Sequence, residues 1–588
     1  MSKQVRMAAT PRLDWGLRWA VVAALSFAGA FAAGQTDAPP ATQPATPPAT
    51  QQAEPAPQHP GTTVLTSGPC PAPGESAESS GQGTRVTPEQ AKQLFSAVDV
   101  LLKFSSDETG LPIKSDVKRQ MTSRDVVESY LKQKFDEDEG AKRLQRAEIV
   151  LNKFGLLDRD FALKPFLLAL LKEQIEAYYD AKTKTVYMLD WIEPDEQKPV
   201  LAHELTHALQ DQRTGLEKWS DQTPDDVSTS FDGDKDHLAR DEMDTAREAV
   251  TEGQATAVMM DCILKPLGKS LVKDPELIDV VKDQMEGSEN SPVLARAPVL
   301  LSESLLFPYR EGLSFEQDVW MDKGKDEAFA GALDHPPTSS WEIINPREYE
   351  AKHLPAVPLM PDIHPLVDKL YKPYDIGQVG QLDLNIMAKI YGGDQAARDL
   401  TPAWDGGLYW AGQRLSAKTP AELASTKSIS LLYLSAWKNA ASAQAFAALY
   451  AHELDKKYSG VKPDAAAQHP APASDTTGSE EKVFSTDEGP VVITTRGTLV
   501  FVTESFDLDL ARKLAALMLS AQGTGPLKMA QGAEMSPTGS LVAREPLTGP
   551  FVRFFANAGV MKAAVDSAVR AGAQRNGDNY GDPSSAGS

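Results

Sequence analysis

The chain has 588 residues, with 82 acidic against 59 basic side chains and a formal net charge of −23 at pH 7. That balance opposes binding to nucleic acid or anionic lipid, whose phosphates repel an acidic surface. Only two cysteines occur, so no disulfide framework is expected, and neither a Gly-rich phosphate loop after a strand nor a Gly-x-Ser-x-Gly nucleophile elbow is present, which sets those enzyme classes aside.

At the N-terminus, Lys3, Arg6, Arg12 and Arg18 precede an apolar run from Trp19 to Ala33 that ends in small residues. Residues 1–34 therefore read as a secretory signal peptide, and the mature chain is expected to be exported, periplasmic or secreted. The run is about 15 residues, short for a spanning helix, although retention as an anchor stays open. No other stretch is long and apolar enough to span, so the mature chain is expected to have no transmembrane segment, and no Cys closes the run to carry a lipid. Residues 35–86 are rich in Pro, Ala, Thr, Gln and Ser and read as a disordered linker. Cys70 lies in that linker, Cys262 reads as a small buried apolar residue, and no bridge between them is expected.

Helical patterning then runs from Thr87 through Phe104, over 125–135, 141–154 and 162–176. Tyr178 to Asp180 and Thr185 to Met188 are β-prone runs around Ala181 to Lys184, which predicts a hairpin. The fold class expected is α+β, mainly helical, with this small β element ahead of the next helix.

That helix carries His203-Glu204-Leu205-Thr206-His207. Two imidazoles four residues apart stack on one face, and Glu204 sits about 100° round the helix from His203. Leu201, Leu205 and Leu209 fall on the opposite side, so a greasy back and a polar front are expected. His-Glu-x-x-His binds zinc through both histidines, with the glutamate as general base. A catalytic zinc needs a third protein ligand. No His occurs in 208–217, and His237 falls in an Asp-rich stretch, 221–244, that reads as a surface insertion and is not expected to ligate. The segment Arg247 to Met260 reads as a helix with small residues along much of its surface, and it offers Glu248 and Glu252.

Glu252-Gly253-Gln254-Ala255 resembles the Glu-Gly-x-Ala ligand segment of the aminopeptidase branch of the gluzincins, zinc proteases whose third ligand is a glutamate on a second helix. The resemblance implies Glu252 as the third ligand, with Glu248 as the alternative. Four residues after Glu252 stands Thr256, where gluzincins carry an acid that orients a zinc-bound histidine, so that role must fall elsewhere.

A wider likeness, from about Glu89 to Tyr458, is carried by Glu176-Ala177-Tyr178-Tyr179-Asp180, by His203 to Gln212, by Phe307 to Gly312, by Pro336 to Tyr349 and by Trp404-Asp405-Gly406-Gly407. These segments resemble a largely uncharacterised family of secreted bacterial proteins classed with zinc metalloproteases by their motif. Asn345 departs from it, standing where a His is expected before the Pro, and no role is assigned there. The likeness implies a zincin-like metallopeptidase core holding one Zn²⁺ per chain and acting on a peptide or protein. Glu204 would be the general base, and the oxyanion donor would come from Tyr309, His335, Tyr349 or Arg310, in that order. In gluzincins an edge strand at the place of this hairpin pairs with the substrate; a hairpin that only covers the core is the other reading. A catalytically inactive zinc-binding scaffold, or an envelope-associated binding protein, is the alternative for the whole chain.

Residues 87–420 are assigned to the metallopeptidase-like domain and 421–525 to a smaller α+β module of strand, helix (443–457), hairpin (491–495 and 498–502) and helix (508–520), with a Pro/Ala-rich insert at 461–480. Residues 526–588 read as a flexible tail with an amphipathic helix at 554–571.

Overall fold

The computed structural model describes residues 69–70, 85–127, 148–174, 177–220, 222, 227–286, 292–354, 356–467 and 479–522. The signal segment, nearly all of the linker, the tail with its helix, and parts of the expected helices 125–135 and 141–154 and of the 461–480 insert lie outside these residues. The described chain is α+β and mainly helical, as expected.

The first half is a helical body with a small sheet. Helix α1 (Pro88–Thr109) starts from a capping box in which Thr87 and Gln90 exchange side-chain and backbone hydrogen bonds, and it stops at Gly110, whose φ of 72° favours glycine. Strand β1 (Lys118–Thr122) follows, then α2 (Leu163–Gln174), β2 (Ala177–Asp180) and β3 (Thr185–Leu189). The strands order as β1-β3-β2, with β2 and β3 forming the expected antiparallel hairpin and β1 adding in parallel on the far side of β3. Asp180 closes the hairpin by accepting from the Lys182 N–H at 2.9 Å and the Thr183 hydroxyl at 2.6 Å.

Helix α3 (Pro194–Thr214) carries the His-Glu-x-x-His run. Gln197 fixes its start to the sheet, with its oxygen on the Leu189 N–H and its amide on the Leu189 and Ile192 carbonyls. The expected polar front does not face solvent, because every residue from Pro199 to Asp211 is buried. The leucines pack into the core, and the polar side chains turn into α5 and the hairpin rather than outward.

The Asp-rich stretch lies at the surface in part, with Asp232, Lys235 and Asp236 exposed, but it also has a buried side. It contains α4 (Phe231–Arg240), whose Asp234 and His237 are buried. Partners make that burial tolerable: His364 lies 3.1 Å from Asp234, His237 lies 3.3 Å from Asp241, and the Gln378 N–H donates to Asp241 at 2.6 Å. Helix α5 (Met243–Leu264) is enclosed along nearly its whole length, followed by α6 (Leu277–Glu286) and the 25-residue α7 (Val299–Lys323).

Helices α5 and α7 touch backbone to backbone. A Cβ on Gly253 would sit 2.2 Å from the Gly312 carbonyl oxygen, and one on Gly312 would sit 2.2 Å from that of Ala249. The small residues expected on this helix therefore serve a close crossing.

The second half is built on a seven-stranded antiparallel sheet: β4 (Tyr371–Gln378), β5 (Trp404–Arg414), β6 (Ile429–Trp437), β7 (Lys462–Pro463), β8 (Glu480–Thr486), β9 (Gly489–Arg496) and β10 (Leu499–Glu504), ordered β4-β5-β6-β10-β9-β8-β7. Helix α8 (Gln381–Leu400) joins β4 to β5, α9 (Ala440–Lys457) follows β6, and α10 (Leu508–Ala521) closes the described chain. The sheet crosses position 420/421, drawing β4 and β5 from before it and five strands from after it. Alternation places Tyr433 and Trp437 of β6 in the core shared with α9 and the helical body, and Leu432, Leu434 and Ala436 in a second core under α10.

Buried ion pairs join the halves. Lys153, from the helical body, donates to Glu488 at 2.8 Å and to the Ser505 hydroxyl at 2.7 Å, and Arg159 reaches Glu488 at 2.6 Å. Among the described residues no helix is long and apolar enough to cross a membrane.

Cys70 and Cys262 form a disulfide with a Cα–Cα distance of 5.5 Å, contrary to the sequence reading of Cys262 as a thiol packed as an apolar group. Composition argued against a framework of bridges, but a single bridge across 192 residues depends on a tertiary approach that composition does not register.

Candidate metal centre

His203 and His207 project from one face of α3 toward Glu252 on α5. Their Nε2 atoms are 3.1 Å apart, and Glu252 Oε2 lies 3.1 Å from His203 Nε2 and 3.5 Å from His207 Nε2. Among the described residues this is the one group of His, Cys, Asp or Glu side chains arranged to hold a metal ion. All three, and Glu204, are no more than 1 % exposed.

Burial alone depresses both imidazoles. In His203 it prevails and lowers the pKa, whereas in His207 the Glu252 carboxylate outweighs it and lifts the ring to about 9. Burial raises carboxyls, but His207 and His203 pull Glu252 down to about 2.

Glu204 stands beside this group. Burial raises its pKa to about 8, against the opposing pull of His207. Its Oε2 accepts the Tyr179 N–H from β2 at 2.8 Å, and its Oε1 is buried without a hydrogen-bond partner. An orphaned carboxylate oxygen next to three converging ligand atoms is what a metal site with an adjacent base would leave in a structure without the ion. Tyr179 is held in turn by its hydroxyl, which donates to Asp211 at 2.8 Å, and Lys184 reaches the same carboxylate oxygen.

The remaining candidates separate clearly. Tyr309, on α7, lies with its ring nearly parallel to that of His203, at 6.3 Å between centroids and 20° between planes. Glu248 is buried one turn before Glu252 and stands outside the ligand group, so the geometry selects Glu252. His335 is exposed, and its carbonyl accepts the Tyr349 hydroxyl at 2.8 Å, so these two engage each other and stand outside the ligand group. Arg310 borders a cavity of about 590 Å³ with Glu303, Phe307 and Lys389; their spacing puts that cavity on the side of α7 turned away from Tyr309. His237 pairs with Asp241 and takes no part in the ligand group, and Asn345 donates to the Trp341 carbonyl and to Gln381.

Two residues at the site escaped the sequence reading. Gln210 Oε1 lies 2.8 Å from His207 Nδ1, and Gln254 lies 2.9 Å from the Gln210 amide. Their positions, three residues after one ligand and two after another, were the available signal. No protein-family model, no curated protein and no solved structure matches the chain.

Proposed function

We propose that this chain is an exported zinc metallopeptidase with a zincin-like core of the gluzincin type. The observation that carries the reading is the spacing of the three ligand atoms, 3.1, 3.1 and 3.5 Å. Ligand atoms about 2.0–2.1 Å from a tetrahedral zinc lie ~3.3–3.4 Å from one another, and two imidazoles with one carboxylate suit that ion. Zinc held there supplies Lewis acidity toward a water molecule and a peptide carbonyl.

The chain's own groups account for the rest. Glu204, whose Oε1 has no hydrogen-bond partner, would act as a carboxylate base there, taking a proton from the attacking water and returning it to the leaving amine. The Tyr179 N–H on Oε2 holds the carboxylate still for both transfers. Tyr309, whose ring lies beside that of His203, is the oxyanion-donor candidate this arrangement favours. The Cys70–Cys262 disulfide supports export, because such bridges persist in oxidising compartments.

One observation favours the second reading, a zinc-binding scaffold without turnover. The ligands and Glu204 are fully enclosed, so a peptide reaches them only if the surrounding elements part. Purified protein assayed for zinc content and for cleavage of casein and a peptide library, as wild type, Glu204→Gln and Glu252→Ala, separates the two. About one zinc per chain with cleavage lost in Glu204→Gln supports the peptidase. Stoichiometric zinc without cleavage by the wild type supports the scaffold, and no zinc at all overturns both.

A further inference from the structure

Resting on the metal reading above, one relay behind the ligands goes beyond it. The sequence left open what orients a metal-binding histidine in place of the acid missing at Thr256.

Metal-bound imidazoles are held through their second nitrogen by a partner that fixes ring and tautomer, usually a carboxylate, a backbone carbonyl or water. Here the group on His207 Nδ1 is a carboxamide, Gln210 Oε1, at 2.8 Å. A carboxamide can present either its oxygen or its NH₂, so by itself it does not say which ring nitrogen carries the proton.

The ambiguity is removed two links away. The Gln254 amide donates to the Ala328 carbonyl at 2.9 Å and to the Phe329 carbonyl at 3.0 Å. Both carbonyls belong to the π-helical turn Glu327–Gly331, a conformation frequent at functional sites. Backbone carbonyls only accept, so Gln254 must turn its NH₂ toward them and its oxygen toward Gln210. Gln210 must then turn its own NH₂ toward Gln254, at 2.9 Å, and toward the Thr251 carbonyl, at 3.0 Å. Its oxygen is left for His207, and an oxygen can only accept. Both glutamines are fully buried, so water does not compete for these bonds.

We infer that Gln210 and Gln254 are positioning residues that lock His207 with its proton on Nδ1 and its Nε2 lone pair aimed at the metal, the orientation being dictated by the Ala328 and Phe329 carbonyls. The relay ties α3, α5 and the π-helical turn to the setting of a single imidazole, and it does so without a formal charge. Gln210 thus occupies the place of the acid that other sites of this kind employ, and adds no negative charge to a centre that already holds Glu204 and Glu252.

The test uses the full chain from Gln35 onward, with zinc itself as the probe, for wild type, Gln210→Leu and Gln254→Leu. Zinc affinity is read by competition with a chelating dye, and long-range ¹H–¹⁵N spectra of ¹⁵N-histidine protein report the protonated nitrogen of His207. With zinc bound, the wild type is expected to carry the proton of His207 on Nδ1. Gln210→Leu should weaken zinc binding about 10–100-fold, and Gln254→Leu, which keeps the Thr251 bond, by a smaller factor. A merely structural role would lower stability without moving the proton or freeing the ring. With zinc bound, a wild-type proton on Nε2, or zinc affinity unchanged in both variants, overturns the inference. If Gln210→Leu does not fold, Gln254→Leu carries the comparison alone. If the wild type binds no zinc, the metal reading falls, while a neutral His207 ring protonated on Nδ1 in the wild type and not in Gln254→Leu still upholds the relay.

Discussion

The backbone N–H of Tyr179 donates to the Glu204 carboxylate at 2.8 Å, so the edge strand of the small sheet holds the residue proposed above as the base. In that geometry only Oε1 of Glu204 is left for proton transfer. Replacement by Gln keeps an oxygen for the Tyr179 N–H and removes the basic one. Glu204→Gln is expected to keep its zinc and to lose about 10²–10⁴-fold in kcat. Zinc content and initial rates on one cleaved peptide check this, and a variant retaining a tenth or more of wild-type turnover would be incompatible with Glu204 as the base.

Removing the third ligand should act on the metal first. Glu252→Ala leaves two imidazoles in a buried cavity and is expected to lose stoichiometric zinc. In the wild type, zinc at a hundred times its dissociation constant adds roughly 2.7 kcal/mol of stability, which a chelator removes. Calorimetry with and without EDTA should therefore show a metal-dependent Tm for the wild type and none for Glu252→Ala. An equal EDTA response in both would point to ligands other than Glu252.

The helix crossing beside that ligand tolerates no side chain. Gly253→Ala places a Cβ 2.2 Å from the Gly312 carbonyl oxygen, which must move apart from α5. Such overpacking costs about 1–3 kcal/mol, and because Gly253 follows Glu252 the same shift should weaken zinc binding. Thermal melts and zinc titration would show both changes together. A Gly253→Ala protein as stable as wild type would mean that α5 and α7 do not approach this closely in solution.

The disulfide should contribute measurably. The chain-entropy relation gives about 5 kcal/mol for a loop of this length, set by the separation of 192 residues. The double substitution Cys70→Ser with Cys262→Ser is expected to lower Tm by roughly 5–10 °C, and reductant should bring the wild type to the same value. Thiol titration of the unfolded wild type without reductant should find no free cysteine. Two free thiols there would remove the bridge.

Acidic groups at the junction of the halves predict a pH dependence. Burial raises Glu242 to about 8 and Asp383 to about 7, with Asp383 and Asp241 adding repulsion at Glu242. Carboxyls raised in the folded state contribute stability that is complete below their unfolded pKa, 4.5 for Glu242 and 3.8 for Asp383, and that is lost as pH rises through 7 to 8. Tm is therefore expected to fall between about pH 5 and pH 8. Glu242→Gln, which keeps an oxygen for the Ser340 hydroxyl, should flatten that slope. A wild-type Tm that climbs over this interval would contradict the assignment.

What the sequence disclosed depended on whether the signal was local. His203 and His207 were legible because a four-residue spacing fixes two side chains on one helical face, and the hairpin at Asp180 because β-prone runs flank a short turn. Glu252 was singled out from Glu248 only by likeness to other ligand segments, since both lie one turn apart on one helix. Gln210 and Gln254 stayed invisible because a buried amide acquires its role from neighbours distant in sequence, here the carbonyls of Ala328 and Phe329. The burial of Asp234 and Asp241 was missed for the same reason, the one lying against His364 and the other accepting the Gln378 N–H. The residues of β4 and β5 were assigned to the 87–420 segment because β6, the strand that joins this pair to the rest of the sheet, comes later in the chain.

The bond between Cys70 and Cys262 also makes the chain between them a covalent ring. A single peptide-bond cut anywhere from residue 71 to 261, whether by the protein itself or by another protease, adds one water and releases nothing. The nicked product keeps the mass of the intact chain plus that water until the disulfide is reduced, and then parts into two fragments whose sizes report the cut. Any maturation step inside that ring would pass unseen on a non-reducing gel, and the segment preceding Cys70 would stay fastened to the helix that carries Glu252.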